Sequence, residues 1–99
     1  MQMATDRLAE QAAQAAKLMK LLSNERRLLV LCKLAGAREM TVGRLAAEVG
    51  LSQSALSQHL SMMRTEGLVT FRRDGQTLHY SIANPVAERL LSTLREIYC

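Results

Sequence analysis

Tryptophan is absent from these 99 residues, and aromatics reach only 3 %, one Phe and two Tyr. A core without aromatic bulk must be filled by Leu, Ala, Val and Met, a mixture that favours helices. No apolar run approaches the ~20 residues that cross a bilayer. Glu10, Gln11, Gln14 and Lys17 interrupt any apolar stretch that could serve as a secretory leader, so the expected location is the cytoplasm. In that compartment two cysteines, Cys32 and Cys99, are expected as thiols with a redox, metal or packing role, and not as a stabilising disulfide. Linkers, repeats and low-complexity tracts are missing as well, so residues 1–99 read as a single domain. The equipment of an enzyme is also missing: no nucleophile–base pair, no glycine-rich phosphate loop and no cofactor motif. No cofactor and no membrane partner are expected.

What is present is a globular composition, 48 % hydrophobic, with a net charge of +4 that points weakly to a polyanionic partner. From about Thr5 to Leu22, the residues Leu8, Ala12, Ala15, Ala16, Met19 and Leu22 recur at helical spacing. The alanines allow close helix–helix approach, either in the core or between two chains. Ser23 or Asn24 can cap a second helix, about Asn24 to Ala35, which is apolar nearly all round and therefore central. Gly36 is the expected stop. Thr41 caps a short helix through Val49, and Gly50 ends it. Ser52 caps a further helix from Gln53 to Thr65 that buries Ala55, Leu56, Leu60 and Met63. Two helices joined by a three-residue turn containing Gly form a helix-turn-helix.

The period then changes to two. Residues 68–73 and 76–82 flank Asp74-Gly75, a strong hairpin signal. With those two residues as the turn, Phe71 pairs with Leu78 and Val69 with Tyr80, while Arg72 pairs with Thr77 and Thr70 with His79. Apolar residues then share one face and polar residues the other. Asn84-Pro85 starts a last helix, with Asn as cap and the only proline at the first turn. Its expected inward stripe is Val86 or Ala87, Leu90, Leu94, Ile97 and Tyr98. The expected fold is mainly α with a β-hairpin, in the order α-α-α-α-β-β-α, a winged helix-turn-helix working as a homodimer.

The outward face of the second helix of the pair carries Gln53, Ser54, Ser57, Gln58, Ser61 and Arg64. A merely solvated face usually carries Lys and Glu, yet residues 51–61 hold no charge unless His59 is protonated. Short hydroxyls let a helix backbone lie deep in the major groove, and Gln pairs bidentately with adenine. The residues assigned to double-stranded DNA are therefore Thr41 and Ser52 at the helix starts, then Gln53, Ser54, Ser57, Gln58, His59 and Arg64. Arg72 and Arg73 on the hairpin join them, since wing arginines lie along phosphates or enter the minor groove. Arg26, Arg27, Arg38 and Arg44 are further candidates for backbone contacts. A dimer on a pseudo-palindromic operator doubles these contacts.

The segments "LSNERRLLVLCKLAG", "LSQSALSQHLSMMRTEGLV" and "RRDGQTLHYSI" closely resemble the ArsR/SmtB family of dimeric transcriptional repressors, over residues 15–99. The resemblance implies dimerisation through the first and last helices and major-groove reading by the helix with Gln53, Ser54, Ser57 and Gln58. It also implies an operator near the protein's own promoter, released when an inducer is sensed. Many members sense metals, but "VGRLAAEVG" has no Cys and "NPVAERLLSTLREIYC" has neither His nor Asp. The family's usual metal ligand sets are therefore not assembled, and no metal site is assigned. Cys32 and Cys99, late in the second helix and at the end of the last, resemble the subgroup of BigR, SqrR, YgaV and HlyU. There most members sense reactive sulfur: a persulfide donor links two thiols by a polysulfide bridge and DNA affinity falls. Some HlyU-like members act as anti-silencers. A metal-responsive repressor and an anti-silencer are the alternatives. A small thiol inside a Leu-rich helix is also simply a packing residue.

Overall fold

The computed structural model describes residues 2–98, with side chains for 6–98. In chain order it contains α1 (Gln2–Leu22), α2 (Glu25–Ala37), β1 (Met40–Thr41), α3 (Val42–Val49), α4 (Gln53–Thr65), β2 (Val69–Asp74), β3 (Thr77–Ile82) and α5 (Pro85–Tyr98). This is the expected winged helix-turn-helix, with one addition. The two-residue β1 pairs antiparallel with β3, Met40 opposite Tyr80, and gives a three-stranded sheet in the order β1-β3-β2. A strand of two residues has no periodicity to read in sequence.

The helix starts fall where the capping chemistry puts them. Asn24 Oδ1 accepts from the Arg27 N–H at 3.0 Å, and Asn84 Oδ1 accepts from Val86 and Ala87 at 2.9 and 3.1 Å. Each bond satisfies a backbone donor that the first helical turn leaves unpaired. Val30, Leu31 and Leu34 of α2 are buried at the centre against Leu45, Leu56, Leu60, Met63, Leu68 and Leu91. Full burial of each such side chain contributes about 1.5–3 kcal/mol.

Three expectations need correction. Gly36 does not end α2, which runs one residue further to Ala37. The stop is a tight turn at Arg38, with φ 67° and ψ −59°, in which the Glu39 N–H donates to the Ala37 carbonyl at 2.8 Å. That is a γ-turn of the rare positive-φ kind, strained for a residue with a Cβ. Gly36 serves packing instead: a Cβ there would overlap the guanidinium of Arg95 on α5.

The hairpin register is also different. Asp74 pairs with Thr77, so Gly75-Gln76 are the turn residues and Phe71 faces Tyr80, not Leu78; Val69 faces Ile82, Thr70 faces Ser81 and Arg72 faces His79. Only Gly75 of that turn carries a positive φ, 63°, as a II′ turn requires at its first central position. The face argument misses this shift because moving a partner by two residues leaves both faces intact.

The terminal helices depart most from the expected inward stripes. Of the α1 stripe only Leu22 is buried, and Leu8 and Met19 are 66 % and 63 % exposed. On α5 the buried residues are Ala87 and Leu91, Leu94 is half-buried, and Val86, Leu90, Ile97 and Tyr98 face outward.

Candidate nucleic-acid interface

Thr41 Oγ1 accepts from the Arg44 N–H at 3.3 Å and starts α3. Gly50, with φ 71°, ends it in the left-handed conformation that a residue without Cβ adopts freely. Ser52 Oγ then accepts from the Ala55 N–H at 3.0 Å and starts α4. In both caps the hydroxyl acts as acceptor, which leaves its own hydrogen to donate outward. Leu56, Leu60 and Met63 anchor α4 to the core, and this fixes which face turns to solvent.

That face carries Gln53, Ser54, Ser57, Gln58 and Ser61, all exposed. None of these five side chains hydrogen-bonds to another described residue. The Gln53 amide lies beside Gly43 of α3, where a Cβ would touch it at 3.5 Å. His59 is half-buried and stands back from this surface.

The arginines divide into free and engaged groups. The Arg64 guanidinium carbon sits 4.2 Å from the centroid of the Phe71 ring, which itself contacts Tyr80 at 5.4 Å. This cation–π contact joins the end of α4 to β2. Arg72 crosses the sheet to Glu39, with Nε and Nη2 donating to the carboxylate at 3.2 and 3.0 Å. The hydrogen bonds from Arg72 hold the Glu39 carboxyl below the usual carboxylate range, with the charges of Arg72, His79 and Arg38 acting in the same direction. The same pair raises Arg72. Arg73, on the opposite face of β2 beside Leu78, is exposed and has no ion pair among the described residues.

Of the further candidates, Arg27 is committed inside the protein. Its Nη1 donates to both Glu66 oxygens, at 2.8 and 3.1 Å, and to the Leu21 carbonyl at 3.1 Å. It thereby ties the junction of α1 and α2 to the residue that ends α4. Arg44 pairs at 3.6 Å with Glu48 one turn later on α3. Sequence reasoning missed Glu39 and Glu66 as partners, because separations of 33 and 39 residues follow no helical or strand period.

Cys32 is half-buried on the side of α2 that also carries Lys33 and Gly36. Cys99 lies outside the described residues. Among the described residues no group of three or more His, Cys, Asp or Glu side chains is placed to hold a metal ion, and no helix is long and apolar enough to cross a membrane.

Residues 24–70 match the family described as "Bacterial regulatory protein, arsR family". The chain is 46 % identical over 92 residues to the HTH-type transcriptional regulator YgaV of Escherichia coli, covering 93 % of each protein. It is 40 % identical over 92 residues to the transcriptional activator HlyU of Vibrio cholerae, covering 93 % of this chain and 84 % of that one. The crystal structure of the transcriptional repressor BigR from Xylella fastidiosa superposes with a TM-score of 0.86 at 33 % identity, over 96 % of this chain and 93 % of that one. With its α3–α4 pair and β2–β3 wing in place, this chain belongs to the ArsR family of bacterial transcriptional regulators.

Proposed function

We propose that the protein is a homodimeric, single-domain repressor that reads a pseudo-palindromic operator with α4 and is released by reactive sulfur through Cys32 and Cys99. The observation that carries the DNA reading is the uncommitted Ser/Gln face of α4. Five polar side chains stand exposed without hydrogen-bond partners among the described residues, on a helix whose opposite face is locked into the core. In this reading Gln53, Ser54, Ser57 and Gln58 meet base edges, and Thr41, Ser52 and Arg73 meet phosphates. Arg64 stacks on Phe71 at the end of α4, and Arg72 is held by Glu39 on the other face of the wing. His59, half-buried, contributes from the rear of the helix through its ring edge. The exposed apolar residues of α1 and α5 support dimerisation through both ends of the chain, since such a set on a small domain marks an association surface.

The sulfur chemistry balances with a persulfide donor. Each thiolate attacks the outer sulfur of one donor molecule; the donor's S–S bond breaks, and the donor leaves as a thiol. The Cys32 persulfide then attacks the inner sulfur of the Cys99 persulfide and expels hydrogen sulfide, leaving a trisulfide. Two protein thiols and two donor persulfides thus become one bridge, two donor thiols and one hydrogen sulfide. Support comes from Arg95, one turn before Cys99, which reaches the surface of α2 that carries Cys32.

The test is binding of the purified protein to its own promoter fragment, before and after exposure to glutathione persulfide. Salt-dependent binding that is lost on exposure, and retained in Cys32→Ser and Cys99→Ser, is the expected result. No affinity for the duplex ends the DNA reading, whereas release of both variants as readily as the parent ends the thiol reading alone. The V. cholerae relative is named an activator, which favours anti-silencing as a second reading. Promoter output in a deletion strain separates the two: it rises if the protein represses and falls if it counters silencing.

A further inference from the structure

A groove of about 300 Å³ opens between α2, α3 and α5, with Cys32 on its wall. Its charged lining is unbalanced: Lys33 from α2, Arg44 from α3 and Arg95 from α5 face a single carboxylate, Glu48. Glu48 is engaged at 3.6 Å by Arg44, so Lys33 and Arg95 have no ion pair among the described residues. Arg95 is half-buried, lies on the bare backbone of Gly36, and makes no hydrogen bond or ion pair with any described residue. A guanidinium withdrawn partly from water and left unpaired is a poised carboxylate receptor, because its fork matches two carboxylate oxygens.

We propose that this groove binds the carboxylate of a small anionic thiol compound and, when that compound carries a persulfide, presents its outer sulfur to Cys32. The inference rests on the thiol reading above and names its donor class. Arg95 and Lys33 hold the donor's carboxylate, and Arg44 sits at the rim. The Cys32 thiolate takes the outer sulfur, the donor's S–S bond breaks, and the departing thiolate gains a proton from water. An occupant held by Lys33, Arg44 and Arg95 also spans three elements, including the first helix of the helix-turn-helix. The groove thus joins the last helix to the DNA-reading unit.

The binding test uses S-methylglutathione, which has glutathione's carboxylates and no transferable sulfur, titrated into the full chain by calorimetry. Saturable binding is expected, weakened about tenfold in Arg95→Gln, the loss of one charged hydrogen-bonded contact. Gly36→Ala is the second variant. It suits a helix, and its methyl evicts the Arg95 guanidinium, so it is expected to weaken binding similarly while circular dichroism stays unchanged. No saturable binding, or binding indifferent to both substitutions, overturns the proposal.

A kinetic arm compares sulfur transfer to Cys32 from glutathione persulfide and from the uncharged persulfide of N-acetylcysteamine. The preference for the anionic donor is expected to fall about tenfold in Arg95→Gln. Equal rates from both donors in the parent protein overturn the groove's role but leave the dithiol switch standing. Failure of Cys32 to accept sulfur from either donor ends the switch, and the calorimetry still decides the groove.

Discussion

The winged helix-turn-helix body and the two terminal helices are built to different standards of completeness. From α2 to β3 every large apolar side chain except Leu29 and Met62 is buried or half-buried, the helix starts are capped, and two arginine–glutamate bridges close the edges. The α1 and α5 helices are amphipathic too and bury Leu22, Ala87 and Leu91, yet six of their apolar residues look outward: Leu8, Met19, Val86, Leu90, Ile97 and Tyr98. The body is closed within one chain, whereas the exposed apolar residues of the ends are the surface assigned to the proposed dimer. An amphipathic pattern therefore records that a face will be covered, not by which chain.

The largest effect is expected at the ends. In the proposed symmetric dimer Ile97→Glu is expected to remove an apolar contact twice, a loss of at least about 3 kcal/mol from two side chains of 1.5–3 kcal/mol each. Sedimentation should show monomer while circular dichroism keeps the helical signal; collapse of the fold would erase the contrast between ends and body. Leu60→Ala, in the body, is expected to lower the unfolding free energy by about 2–5 kcal/mol in urea titration. Gln58→Ala probes the body's outer face. Operator affinity should fall by about 1–3 kcal/mol, with an unchanged urea midpoint. Arg38→Gly relieves the strained turn and is expected to raise stability by roughly 0.5–1 kcal/mol, the relief exceeding glycine's entropy cost.

The smallest effect concerns the Glu39–Arg72 bridge. The Glu39 pKa is depressed in the folded state. Its contribution is therefore complete above the unfolded-state value and lost as the pH falls through the folded one. A carboxyl NMR titration of Glu39 should show the low midpoint, and Arg72→Gln should return it to the ordinary range.

The elements governed by local chemistry were legible in the residues. Thr41, Ser52 and Asn84 cap where their side chains reach the next N–H groups, and Gly50 stops α3 because it tolerates a positive φ. What was not legible depends on distant partners. Gly36 looked like a stop because nothing in sequence places Arg95 upon it. The wing register was read one turn residue off because both registers sort the same residues to the same faces. Among the site residues, the Ser/Gln face of α4 was readable from spacing alone. The engagement of Arg72 by Glu39 and of Arg27 by Glu66 was not, since ion pairs across the fold leave no periodic trace.

Arg27 turns a long helix into a lever. The 21 residues of α1 span about 31 Å at 1.5 Å per residue. Their fulcrum is the Leu21 carbonyl, held by the same guanidinium nitrogen that grips Glu66 where α4 ends. A tilt of about 5° there sweeps the far tip through roughly 3 Å, so the length of α1 magnifies any small change of angle at the Arg27 link.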